Sequence, residues 1–132
     1  MRLLLLVLGL ASVAAPALAD PCNAPLPTRE GSTFSGRVEY VGDGDGLCVR
    51  TEAGLVEVRL ADFNAPEVGE PGWREAKLDL RDIAMHRWAV CTVTGGRYGR
   101  TTSYDRVIAV CRIGGRRLGD AMRAEGAPEG GR

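Results

Sequence analysis

The 132-residue chain predicts a small α+β domain, mainly β, with one amphipathic helix among the strands and a short helix at the end. Three observations lead there. Short stretches alternate apolar and polar side chains, the period of a half-buried strand. One longer stretch, Trp73 to Trp88, changes to helical period. Turn-forming pairs such as Asp43-Gly44 and Glu52-Ala53-Gly54 separate the strands closely, as hairpins require.

Taken in order, Met1-Arg2 is a basic start, Leu3 to Leu10 an apolar run, and Ala17-Leu18-Ala19 a small-residue cleavage site. This is the pattern of a secretory signal peptide over 1–19. The apolar run is short for a membrane span, and no stop-transfer flank follows. Residues 20–33 are rich in Pro, Asn, Ser and Gly and read as an extended tail. Phe34 to Val41 alternates as a first strand, and Asp43-Gly44-Asp45-Gly46 returns it through Leu47 to Thr51. Leu55 to Leu60 places Val56, Val58 and Leu60 on one face and Glu57 and Arg59 on the other. Asn64 to Gly72 holds two prolines and two glycines and reads as a loop. In the helix that follows, Trp73, Ala76, Leu80, Ile83 and Ala84 share a face, with Arg87 continuing it. His86, the only histidine, sits off that face, and both tryptophans are assigned to helix packing.

Ala89 to Thr94 and Arg106 to Ile113 are the fourth and fifth strands, joined by a loop that carries Arg97 and Arg100. Leu118, Ala121 and Met122 mark a short helix stopped at Gly126, and residues 127–132 are expected to fray. Five strands with a helix between the third and fourth suit a Greek-key barrel of the OB type over residues 34–126.

Charge is balanced, with 17 basic and 17 acidic side chains, so the chain lacks the overall basicity common in nucleic-acid binders. Its distribution is uneven. From Arg97 onward eight arginines face four acids, enough to steer a polyanion locally. All four cysteines lie after the leader, an even count that favours disulfides in an exported domain. No pair has the close spacing of a zinc site. Cys91 and Cys111 fall in adjacent strands of one hairpin and are expected to pair, leaving Cys22 with Cys48.

A carboxylate on a rigid turn, as at Asp43 or Asp45, is a good ligand for a hard cation, although Asp-Gly is also ordinary turn chemistry. The spacing is wrong for an EF-hand, because Leu47 and Gly54 stand at its next ligand positions. Arg59, Glu67 and Arg106 are each unremarkable alone. Their joint order supplies a candidate general base and two guanidiniums for a phosphate.

Val41-Gly42-Asp43-Gly44-Asp45, Val58-Arg59-Leu60-Ala61-Asp62-Phe63-Asn64-Ala65-Pro66-Glu67 and Tyr104-Asp105-Arg106-Val107-Ile108-Ala109 resemble the thermonuclease (staphylococcal-nuclease-like) family, from about Phe34 to Gly126. The resemblance implies hydrolysis of DNA or RNA with calcium, or manganese or magnesium in its place, leaving 3′-phosphates. It implies that Asp45 binds the metal with Asn64 and the Ala65 carbonyl, that Arg59 and Arg106 grip the scissile phosphate, and that Glu67 activates water.

Four positions depart from the pattern. Asn64 stands where a second metal-binding aspartate is usual, with Asp62 two residues earlier as a substitute donor. Ala65 replaces a common threonine, Gly46 a frequent hydroxyl residue, and Asp105 the usual glycine. Arg97-Tyr98-Gly99-Arg100 copies the Tyr-Gly-Arg motif, but no strand follows Arg100, so it is read as a decoy or an auxiliary phosphate contact. The expectation is a secreted or periplasmic monomeric phosphodiesterase, free of the membrane once its leader is removed. The alternative is a degenerate relative that binds nucleic acid or a protein partner without cutting.

Overall fold

The computed structural model describes residues 20–130. The expected leader, 1–19, lies outside the described residues.

Five strands close a mixed barrel of OB type: β1 (Thr33–Asp43), β2 (Gly46–Thr51), β3 (Gly54–Leu60), β4 (Trp88–Val93) and β6 (Arg106–Ile113). Two-residue strands β5 (Thr102–Ser103) and β7 (Arg116–Arg117) extend the edges of β6. Four of the barrel pairings are antiparallel, and the barrel is closed by a parallel register of Val58 to Leu60 on Val107 to Ala109. β1 serves both sides, pairing β4 through its first half and β2 through its second, with register irregularities beyond Val38 and Val41. Such bulges bend a strand and allow a small barrel to close. At Gly36 the two strands approach so closely that a Cβ would overlap the Arg50 carbonyl oxygen, so only glycine fits.

The alternation read from β3 holds: Val56, Val58 and Leu60 are buried with Val38, Val49, Val107 and Cys111 in the barrel interior. Helix α1 (Trp73–Ala84) seals one end with Ala76, Leu80 and Ala84, four residues apart. Helix α2 (Leu118–Ala124) buries Leu118 and Met122 and ends at Gly126, whose φ of 72° permits the reversal. Both expected disulfides form, Cys22–Cys48 and Cys91–Cys111, and they fit an oxidising compartment. Among the described residues no helix is long and apolar enough to cross a membrane.

Three expectations fail, each where a segment distant in sequence takes hold of the backbone. His86 is not helical: α1 stops at Ala84, and His86 turns the chain with φ 65° while its N–H bonds the Val38 carbonyl. Trp88 opens β4 and is 63 % exposed, so only Trp73 belongs to the helix. Residues 127–130 do not fray. Ala127 is buried, and the Gly130 N–H donates to the Asn64 carbonyl at 2.6 Å, which returns the chain to the loop after β3.

Candidate active site

The β1–β2 turn, the loop after β3 and the β5–β6 turn converge on one open pocket of about 520 Å³. Asp43, Asp45, Arg59, Asn64, Ala65, Glu67 and Arg106 all line it. Residues separated by as much as the span from Asp43 to Arg106 therefore share a single concavity.

The turn is packed tightly enough to fix its carboxylates. A Cβ on Gly44 would come within 2.6 Å of the Ala76 side chain and 2.7 Å of the Ala65 side chain, so glycine and two alanines set how closely α1, the loop and the turn approach. Asp43 Oδ1 accepts from the Asp45 N–H at 3.2 Å, an Asx arrangement that orients both residues. Asp45 is only 7 % exposed. Its Oδ2 accepts from the Ala65 N–H at 2.9 Å and pairs with Arg59 Nη2 at 3.2 Å. Burial, followed by the neighbouring Asp43 charge, pushes the Asp45 carboxyl up to about 6, against the opposing pull of Arg59 and the Ala65 N–H. The pair of adjacent carboxylates is thus held at an electrostatic cost that a cation would relieve.

Arg59 and Arg106 are held very differently. Arg59 Nη1 donates to the Leu60 and Phe63 carbonyls, and Nη2 donates to Asn64 Oδ1 at 2.8 Å as well as facing Asp45. Its planar fork clasps the β3 end, the following loop and the acid turn together. Among the described residues Arg106 is ion-paired only at long range, 3.9 Å to Asp43 Oδ2, and its charge also reaches Glu57. Glu67 is exposed where it lines the pocket, and among the described residues its carboxylate has no hydrogen-bond or ion-pair partner; its backbone N–H is held by Glu70.

The expected cation ligands are not equally disposed toward that role. Asp45 offers a carboxylate, but the Asn64 amide oxygen is turned onto Arg59. The Ala65 carbonyl oxygen lies against Gly130, where an added Cβ would sit 2.8 Å from it. Asp62 does not substitute for Asn64. Its Oδ2 accepts from the Gly119 N–H at the start of α2, and it does not line this pocket. Asp43, a candidate cation ligand from the turn alone but given no role by the resemblance, lines the pocket beside Asp45. The signal available was the second carboxylate two residues on, in a turn whose backbone brings both acids to one side. Asp43 and Asp45, two hard oxygen donors on a rigid turn, fit a calcium-like or magnesium-like cation; Asn64 and Ala65 fit it less well in the arrangement observed.

No protein-family profile matches the chain. It is 36 % identical over 69 residues to a protein named micrococcal nuclease from Shigella flexneri. The match covers 52 % of this chain and 40 % of that protein, so the chain spans about two fifths of the length of the relative it matches.

Proposed function

We propose that the protein is a metal-assisted phosphodiesterase that hydrolyses DNA or RNA outside the cytoplasm. The observation that supports this reading is the meeting of Asp43, Asp45, Glu67 and Arg106 in one pocket, with Arg59 tying its acid wall together. A divalent cation, calcium first and manganese or magnesium next, would be held by Asp43 and Asp45, and when bound it would polarise a phosphoryl oxygen.

The chain's own residues divide the remaining work. Arg106, ion-paired only at long range, binds the scissile phosphate and neutralises charge as it builds on the non-bridging oxygens. Glu67 accepts a proton from water, whose oxygen forms the new bond to phosphorus as the bond to the leaving oxygen breaks. The leaving oxygen takes its proton from solvent at the pocket mouth. Arg59 positions Asp45 and the loop carrying Asn64, and contributes charge to the pocket wall.

Digestion of a single-stranded oligonucleotide by the oxidised protein tests this, with calcium, with manganese and with chelator. Metal-dependent cutting that Glu67→Gln and Arg106→Ala each reduce by at least about 100-fold is the expected result, in line with the loss of one general base or one charge-stabilising donor. Cutting that survives both substitutions defeats the proposal. One observation favours a second reading: the Asn64 amide oxygen is engaged by Arg59, and the Ala65 carbonyl oxygen lies against Gly130. On that reading the protein binds nucleic acid without cutting, and the same assay would give salt-dependent binding and no products.

A further inference from the structure

We infer that the loop Arg97-Tyr98-Gly99-Arg100 is a second nucleic-acid subsite, which holds an unpaired stretch of the strand beside the scissile-phosphate pocket. The inference rests on the proposed function and adds a contact surface to it.

The loop is built in a way its own packing does not explain. Tyr98 is 92 % exposed, so its ring contributes almost nothing to the core. Its backbone has φ 60°, a left-handed conformation that disfavours bulky side chains. A residue chosen for folding alone at this position would be glycine or asparagine. Arg97 and Arg100 are exposed on either side, and among the described residues neither makes an ion pair or a side-chain hydrogen bond. Other arginines of the domain face acids, Arg59 closely with Asp45 and Arg117 and Arg123 with Asp120, while Arg106 has Asp43 at 3.9 Å. The loop thus presents two uncompensated guanidiniums around one protruding aromatic ring.

It is also held in place. The Gly96 N–H donates to the Arg100 carbonyl at 2.6 Å, the Thr101 hydroxyl donates to the Thr28 carbonyl at 2.7 Å, and the Ile108 N–H donates to the Thr101 carbonyl at 2.8 Å. Pinned ends reduce the ordering cost of binding. A cavity of about 450 Å³ lies under the loop, lined by Arg97, Arg100, Thr102, Ser103, Tyr104 and Ile108. Ser103 and Tyr104 line the scissile-phosphate pocket as well, so the two concavities share a wall. A strand leaving the scissile phosphate can cross Tyr104 and enter the arginine-lined cavity without a break.

Guanidiniums with an exposed ring between them match alternating phosphates and bases. A ring this exposed can stack on a base only if that base is unpaired, which selects single-stranded over duplex nucleic acid.

The test is fluorescence anisotropy of a labelled oligothymidylate with the full chain in chelator, so that no cutting intervenes. Arg97→Ala with Arg100→Ala should weaken binding at least about 10-fold at low salt and reduce the slope of log affinity against log salt by about 1.4, the value for two phosphate contacts on a single strand. Tyr98→Gly should weaken binding about 5- to 100-fold, the range for one lost base stack, while leaving the melting temperature equal or higher. Duplex binding should not respond to Tyr98→Gly.

Wild-type affinity in both variants overturns the inference. A small chromogenic phosphodiester with no flanking nucleotides separates this claim from the proposed function. Tyr98→Gly should leave its hydrolysis unchanged, and an equal loss on that substrate would mean the scissile pocket was damaged, which also overturns the subsite. A wild-type protein that cuts nothing refutes the phosphodiesterase, whereas the anisotropy still decides the subsite.

Discussion

The sharpest consequence of the acid pair concerns Asp45→Asn, measured as stability against pH without metal. Asp45 titrates near 3.8 when unfolded and is pushed up to about 6 in the folded protein, by burial first and the Asp43 charge second. Folding therefore favours its protonated form. Below the unfolded value both states are protonated and nothing is lost; above about 6 both are ionised and the folded state carries the whole cost. At 1.36 kcal/mol per unit the full cost is about 3 kcal/mol, and roughly half of it develops between pH 5 and 7.5.

Asparagine keeps the shape and an oxygen acceptor for the Ala65 N–H but never ionises. The melting temperature of Asp45→Asn relative to wild type should therefore climb by about 6 °C between pH 5 and 7.5, at about 4 °C per kcal/mol for a domain of this size. Glu57 is also pushed up, to about 7, by burial and then Asp20, but it is common to both proteins and cancels in the difference. Adding calcium or manganese at pH 7.5 should restore the wild type far more than the variant, because the cation needs the ionised pair. Parallel melting curves across the pH range would refute the buried-carboxylate argument, and equal stabilisation of both proteins by cation would refute the ligand assignment.

Gly44→Ala should cost about 1–3 kcal/mol in a denaturant melt and lower cutting as well, because the new methyl would overlap Ala65 and Ala76 and push the acid turn outward. Arg59→Lys keeps the charge but cannot span the Leu60, Phe63, Asn64 and Asp45 acceptors; a loss of about 1–3 kcal/mol is expected, and an unchanged midpoint would contradict the clasp. Removing Cys91–Cys111 by paired serine substitution releases a loop with a sequence separation of 20 and should cost about 3 kcal/mol, read by calorimetry. Asn64→Asp adds a carboxylate beside Arg59 and the acid pair, so calcium affinity by titration calorimetry should rise several-fold; no change would show that position 64 faces only Arg59.

The barrel was legible because its elements are written in local patterns. Alternation over Leu55–Leu60 follows from one buried and one open face, and the four-residue spacing of Ala76, Leu80 and Ala84 from one covered stripe. Where the reading failed, the deciding contact was distant in sequence. Helical spacing carried α1 through His86 to Trp88, but β1 claims that segment: the His86 N–H goes to Val38, and Trp88 pairs with Arg37. The tail after Gly126 lacks any periodic signal, yet the Asn64 carbonyl holds it at Gly130.

The same limit governs the pocket. Motif order indicated which segments would meet, because each residue's type is a local fact, but the roles within the pocket depend on who takes whose hydrogen bonds. Asn64 reads as a cation ligand, with Asp62 two residues earlier as a partial substitute. In the fold, Asp62 is drawn to the backbone of α2 and Asn64 to Arg59, two partners from unrelated parts of the chain. Arg59 and Arg106 read as a matched pair of phosphate ligands, and the structure separates them: Leu60, Phe63, Asn64 and Asp45 oxygens surround the first, whereas among the described residues the second is ion-paired at 3.9 Å to Asp43. A guanidinium already surrounded by protein oxygens gains less from a phosphate than one paired only at long range, since every new bond must replace an old one. On the proposed function, recognising the substrate would therefore fall mainly on Arg106, and Arg59 would serve chiefly by keeping the acid wall where a cation could reach it.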